Sequence, residues 1–501
     1  MRVARLVPLA VLCALLSHSA VGAERIKAFC IDFNWGPGGT NGFAGPGVWA
    51  DASPEEHVAW YKALGCNTIQ TFAVSCNGYA WYKGGIVPPQ LGLEHDFLRE
   101  VVDLGHKEGM KVMGYFCAAA NTRWALEHPE LSYGTPGAPH IPFTKVYLDF
   151  LCASIADALT KTGMDGFMID WVWCPSGADG RTEWLPCEQE MFGELMGTPF
   201  PGKEKITAAT ELAFQRKAID RCWSRMRAAA KQANPRCVIW LSCGNVTSPQ
   251  VTNSKMFREV DWLMNEATDP RIMAGVRKMK GPNTRLVQCV VGWGAGHDAR
   301  KIVLDPANRN LGLYGFAAPR PNSLPLSVGD YRRRQVSAFE GNDRNIAVLA
   351  RYYSGSSVED VVEPDAAGRA SLTPSTVTVV GGSPVVADDQ IGNWEKARDS
   401  VRWRFRIRTP GRFEVRLRYA CIPAAAGSHF SVRVDGETRS MVSRATGATW
   451  RDYKTFSVGA FELAAGEHVV QVVPVQGRPW NPISLKTVEI VPALRAGNQP
   501  R

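Results

Sequence analysis

The chain has 501 residues, of which 45% are hydrophobic and 21% charged, with a formal net charge of +9. A chain of this length exceeds one core and implies two or three domains. The charge is modest for the length and no Lys/Arg block occurs, so no nucleic-acid partner is expected.

The N-terminal stretch "MRVARLVPLAVLCALLSHSAVGA" places Arg2 and Arg5 before an apolar run and small residues Val21 and Ala23 before Glu24. That is the pattern of a secretory signal over residues 1–23. Its removal takes the charge from +9 to +7. No later segment has the ~18 uninterrupted apolar residues a spanning helix needs, so no membrane span is expected and the mature protein is expected to be secreted or periplasmic. Thirteen cysteines less Cys13 leaves twelve, an even number that the oxidising compartment permits to pair. Cys174 and Cys187 flank a loop and are the pair most expected to bridge. Cys30, Cys117, Cys237 and Cys289 lie in apolar runs and read as small buried hydrophobes.

From residue 24 to about 353 short apolar runs alternate with longer amphipathic segments. The runs are "IKAFCIDF" (26–33), "NTIQTF" (67–72), "KVMGYF" (111–116), "GFMID" (166–170), "CVIWLS" (237–242), "DWLMN" (261–265), "LVQCVVG" (286–292) and "LGLYGF" (311–316). Between them, Ser53-Pro54 with Glu56 starts a helix that runs to Leu64 before Gly65. Segments 95–108 and 147–162 are helical by apolar spacing, and 208–233 is a long helix stopped by Asn234-Pro235. "DPRIMAGVRKM" and "HDARKIVL" complete the set. Eight alternating units predict an α/β fold, a (β/α)8 TIM barrel over 24–353, rather than an open doubly wound sheet. No Gly-rich phosphate loop follows any run, which further disfavours a nucleotide-binding fold.

Residues 354–376 are polar, bear Pro and Gly, and read as a linker. From 377 to 493 the period becomes two: Val401, Trp403, Phe405 and Ile407 alternate with Arg402, Arg404, Arg406 and Arg408, and Phe413, Val415, Leu417 and Tyr419 follow the turn at Pro410-Gly411. This predicts an all-β sandwich, with residues 494–501 as a tail.

Barrel enzymes carry their chemistry at the C-terminal ends of the strands. There the sequence places Asn34 and Trp35 after strand 1, Asn77, Tyr79 and Trp81 after strand 2, and Tyr115 closing strand 3. Asp170, Trp171 and Trp173 follow strand 4, Asn245 strand 5, Glu266 strand 6, and Trp293, His297 and Asp298 strand 7. Flat aromatic rings with amide and carboxylate groups suit a sugar, which offers apolar C–H faces and a ring of hydroxyls. No HxH, HExxH or CxxC occurs, so no metal or other cofactor is expected. No GxSxG elbow or activated Ser or Cys is visible, which leaves an ester hydrolase with little support. Two strand-end carboxylates point to glycoside hydrolysis of an oligo- or polysaccharide. Asp170, closing a buried strand, is the candidate nucleophile. Glu266 is the candidate acid/base, with Asp298 and Glu183 as rivals and a helix cap as its bland alternative. The substrate-binding candidates are Asn34, Trp35, Asn77, Tyr79, Trp81, Tyr115, Trp171, Trp173, Asn245 and Trp293.

The motifs "IKAFCIDFNWGPGG", "FAVSCNGYAWY", "EGMKVMGYFCAAANTRW" and "GMDGFMIDW" resemble the first four strand motifs of family 29 α-L-fucosidases, over residues 25–175. The resemblance implies that Asp170 stands at that family's nucleophile and that hydrolysis is retaining; exo action is the accompanying expectation. Asn34 stands where the family has His, and Ser75, Cys76 and Asn77 where it has His, His and Asp, the residues that hold fucose. A glycosidase for another sugar, and a glycan-binding barrel without catalysis, are therefore the alternative expectations. The C-terminal part resembles the β-sandwich modules attached to such fucosidases and carbohydrate-binding modules. Trp394, Trp450 and Trp480 are its candidate sugar platforms, and the Arg402–Arg408 ladder is either a solvated face or a contact for an anionic glycan.

Overall fold

The computed structural model describes residues 24–39, 43–133, 140–175, 183–267, 272–292, 299–305, 308, 310–317, 342–381, 383–387 and 390–493. Residues 1–23 and 494–501, with Trp293, His297 and Asp298, lie outside the described residues. Eight parallel strands close a barrel in chain order. They are β1 (Lys27–Ile31), β2 (Thr68–Gln70), β3 (Lys111–Cys117), β4 (Gly166–Asp170), β5 (Val238–Cys243), β6 (Trp262–Asn265), β7 (Arg285–Val291) and β8 (Gly312–Ala317). β8 returns to β1 with Ala28 opposite Tyr314. Each strand coincides with one of the eight runs, because a parallel strand covered on both faces must be apolar at nearly every position.

The helices are α1 (Pro54–Leu64), α2 (Phe97–Lys107), α3 (Thr122–Glu127), α4 (Lys145–Thr162), α5 (Pro186–Met196), α6 (Ala208–Ala233), α7 (Lys255–Glu259), α8 (Met273–Met279), α9 (Ala299–Leu304) and α10 (Asn342–Tyr353). α1 starts as its sequence dictates: the Ser53 hydroxyl accepts from the Glu56 N–H at 3.2 Å. It ends at Gly65, whose φ of 86° suits a residue without a Cβ.

β4 holds the candidate nucleophile, and its register against β5 depends on Gly166. A Cβ there would lie 1.9 Å from the Val238 carbonyl oxygen, a backbone atom of the paired strand. Gly166→Ala is expected to destabilise the barrel by about 3 kcal/mol or more, since overpacking here has no side chain to displace. A thermal melt of the variant within a degree of wild type would refute this.

Beyond the barrel, two antiparallel sheets share one apolar core that includes Trp403, Phe405, Val415 and Leu417. The stretch read as a linker is corrected. Val361–Val362 pairs in parallel with Arg404 and Phe405, and Ala370–Leu372 pairs with Val488–Ile490. Strands of two and three residues are too short to show a period of two. Asp360 of the same stretch is bonded to Arg300 of α9. The arginine ladder is a paired face: Arg402 meets Glu359, Arg404 meets Glu467, and Arg406 meets Glu363 and Glu467. Trp394 is fully buried and Trp480 donates to its carbonyl at 2.7 Å, so both brace the sandwich, while Trp450 is 39% exposed.

The expected Cys174–Cys187 bridge is also corrected: no disulfide joins the two, and the other described cysteines are likewise thiols. Cys174 is buried and turned toward the Gln215 carbonyl, while Cys187 sits in the first turn of α5.

Candidate active site

The C-terminal ends of β1 to β6 and β8 surround a cavity of about 340 Å³, within the range of small-ligand sites. Inward-facing residues of the strands form its floor, including Cys30, Gln70, Met168 and Tyr314. Tyr314 donates to the Gln70 side chain at 2.8 Å, which closes the barrel beneath it.

Three acids open into this cup: Asp32, Asp170 and Glu266. Asp170 is the last residue of β4. Its Oδ2 accepts from the Tyr115 hydroxyl at 3.0 Å, and its Oδ1 accepts from the Trp171 N–H at 2.9 Å. The second bond is available because Trp171 has φ 54°, an unusual left-handed conformation for so bulky a residue. Such strain costs about 1–3 kcal/mol and persists where surrounding structure enforces it. Glu266 immediately follows β6 and accepts from the Ser242 hydroxyl at 3.3 Å.

Asp32 is the acid that sequence reasoning missed. The first run was read through Phe33, which placed Asp32 inside the strand, whereas β1 ends at Ile31. The signal was present: an acid directly after a buried run, the same pattern that singled out Asp170. Burial, most of all, pushes the Asp32 carboxyl up to about 7, opposed by donors from Asn34 and Trp35. Burial likewise pushes Asp170 up to about 8, and the charges of Glu266 and Asp32 add to it. Carboxylates that repel one another in one cup share protons, so the group titrates as a set.

Aromatic rings form one wall. Trp35 meets Phe43 at 5.5 Å between centroids, Phe43 meets Trp171 at 6.2 Å, and Trp171 meets Trp173 at 5.7 Å. Trp35, Phe43 and Trp171 line the cavity. Trp173 stands outside the lining and is 37% exposed. Phe43, from the loop after β1, carried no sequence signal of its own.

Other candidates take different places. Tyr115 lines the cup. Asn34 lines it too, but its side-chain oxygen accepts from the Cys76 N–H at 2.9 Å and so braces the loop after β2. Asn77 does not reach the cavity: its amide donates to the Gln90 side chain at 3.2 Å and to the Ala44 carbonyl at 3.3 Å. Tyr79 lies in the same loop, outside the lining, where its N–H donates to Asn77. Asn245 is exposed and bonds the Thr247 hydroxyl and N–H. Glu183 is exposed and outside the lining.

Trp81 is corrected from sugar platform to core residue. It is 1% exposed, stacks on Phe33 at 4.7 Å, and donates to the Ser75 hydroxyl at 2.7 Å. Trp81→Ala is expected to cost about 3–5 kcal/mol of stability. At temperatures where the variant stays folded, its KM should match wild type; a raised KM with an unchanged melt would return Trp81 to the site.

Comparison with known proteins follows the geometry. Residues 53–171 match a family model described as hypothetical glycosyl hydrolase 6, which supports a glycoside hydrolase barrel. No curated protein matches the chain. Among solved structures, α-L-fucosidase isoenzyme 2 from Paenibacillus thiaminolyticus is similar at 15% identity and TM-score 0.49, over 66% of this chain and 49% of that one. The chain thus spans about half the length of that enzyme. The α-L-fucosidase from Vibrio sp. strain EJY3 is similar at 11% identity and TM-score 0.34, over 88% of this chain and 87% of that one. A family 35 carbohydrate binding module from Clostridium thermocellum is similar at 14% identity and TM-score 0.21, over 25% of this chain and 98% of the module.

Proposed function

We propose that this chain is an exported glycoside hydrolase, retaining and exo-acting on an oligo- or polysaccharide, with Asp170 as nucleophile and Glu266 as acid/base. The observation that carries the reading is the cup itself: acids at the ends of β4 and β6 face one cavity beside an aromatic wall. Tyr115 and the Trp171 N–H hold both oxygens of Asp170, which supports a fixed attacking carboxylate rather than a mobile acid. Glu266 accepts from Ser242 and faces the cavity from the next strand but one. In a retaining reaction Asp170 bonds to the anomeric carbon as Glu266 gives its proton to the leaving oxygen. Glu266 then takes a proton from the water that releases the sugar.

The fucosidase resemblance of residues 25–175 supports an α-L-fucoside as the first substrate to try. One observation favours another glycone. Asn34, at the place of a fucose-holding histidine, has its side-chain oxygen committed to the Cys76 N–H, and Asn77 is turned away from the cup.

The test is a panel of aryl glycosides, α-L-fucoside included, with the product anomer followed by NMR. Turnover of one glycoside with retained configuration is the expected result. No turnover, with saturable glycan binding, would replace the enzyme by a glycan-binding barrel.

A further inference from the structure

The reaction described above leaves one half-buried acid without a role. Asp32 begins where β1 ends and opens into the same cavity as Asp170 and Glu266. Both of its oxygens are held from behind by neutral donors: the Asn34 N–H bonds Oδ1 at 3.0 Å and the Trp35 indole N–H bonds Oδ2 at 3.1 Å. These two bonds fix the plane of the carboxylate, and each oxygen keeps capacity for one more donor. Trp35 belongs to the aromatic wall, so the group that anchors Asp32 also faces the cavity. Among the described residues, no Lys, Arg or His lines the cavity to neutralise the acids. A partly buried carboxylate whose described donors are neutral is costly to keep.

We propose that Asp32 grips the glycone. When ionised, its carboxylate accepts polar hydrogens from two neighbouring substituents of the sugar seated over Asp170, and its charge excludes sugars that carry an acid group. The inference rests on the glycosidase reading and adds the class of glycone, a non-acidic sugar rather than a uronic acid or a sulfated one. The three acids sense one another's charge; a fourth negative group in the cup would meet all of them at short range in a poorly screened space.

Matched pairs of aryl glycosides test this, each a hexoside and its uronide in gluco, galacto and manno form, with wild type and Asp32→Asn. Wild type should turn over a hexoside about 100-fold or more better than its uronide, as expected for like charges at close range. Asp32→Asn should lower hexoside kcat/KM by about 100-fold, mostly through KM, as loss of a charged acceptor for substrate hydrogens predicts. The gap to the uronide should narrow in the same variant. Hexoside turnover by Asp32→Asn within about threefold of wild type overturns the grip, and equal wild-type turnover of both partners overturns the exclusion; either result leaves the glycosidase reading standing.

Calorimetric titration with the free hexoses and hexuronates gives a readout without turnover. Should wild type hydrolyse nothing, hexose binding that disappears in Asp32→Asn, with no hexuronate binding, upholds the grip while the enzyme reading fails. Binding unchanged by the substitution, or no binding of any hexose, overturns it. A thermal melt accompanies each variant, and Asp32→Ser replaces Asp32→Asn if the latter does not fold.

Discussion

Asp170→Asn is expected to lower kcat/KM on the best aryl glycoside by about 10⁴-fold or more, the scale of losing a nucleophile. The amide keeps an oxygen that can accept from Tyr115 or from the Trp171 N–H, and it removes a charge that burial disfavours. The variant should therefore fold and melt close to wild type, so the loss can be read as chemistry. In Asp170→Gly, which removes the side chain from that position, azide should restore turnover and give a glycosyl azide of configuration opposite to the substrate. Activity within tenfold of wild type would remove Asp170 from the nucleophile's role. The pH profile carries the sign of the same environment. A nucleophile must be ionised, and burial with the charge of Glu266 pushes Asp170 up to about 8. The acidic limb of kcat/KM should then lie near 7–8, well above an ordinary aspartate at about 4. It belongs to the coupled acids rather than to one residue.

Glu266→Gln should separate the two chemical steps. A glutamine cannot give a proton to the leaving oxygen, so glycosides with poor leaving groups should slow by about 10²–10⁴-fold. Dinitrophenyl glycosides leave without help, and their first step should be little affected, with accumulation of the glycosyl-enzyme. The substitution also removes a negative neighbour of Asp170, so the acidic limb should move down in pH. Equal loss across all leaving groups would assign the proton to another acid, with Asp298 first in line.

The barrel was legible because parallel strands covered on both faces have to be apolar, and eight such runs recur between amphipathic segments. Capping chemistry was legible at the same level, as Ser53 and Gly65 show for α1. The carboxylates at β4 and β6 could be read from strand order alone, since a residue that closes a strand or directly follows it has one place to go. What order could not convey was the direction of side chains in the loops. Asn77 and Trp81 follow β2 by only a few residues, yet they brace the loop and the core, because that loop folds back with its own hydrogen bonds to Gln90 and Ser75. Asp32 was hidden by a two-residue error in where β1 ends, and Phe43 by the length of loop that carries it to the wall. The glutamates that pair with the arginine ladder lie forty or more residues away in the chain.

The two short strands within residues 354–376 bear on how the protein can be taken apart. A cut placed at Val377 would leave Val488–Ile490 without its partner Ala370–Leu372, and Arg404–Phe405 without Val361–Val362. Leu372, fully buried in the second core, would leave with the wrong fragment. A cut just after Tyr353 keeps both strands with the sheets, but it strips Arg300 of its bond to Asp360. The two modules therefore have no neutral seam, and exchange of either one for a homologous part has to carry residues 358–376 with the sheets and redesign the surface around Arg300.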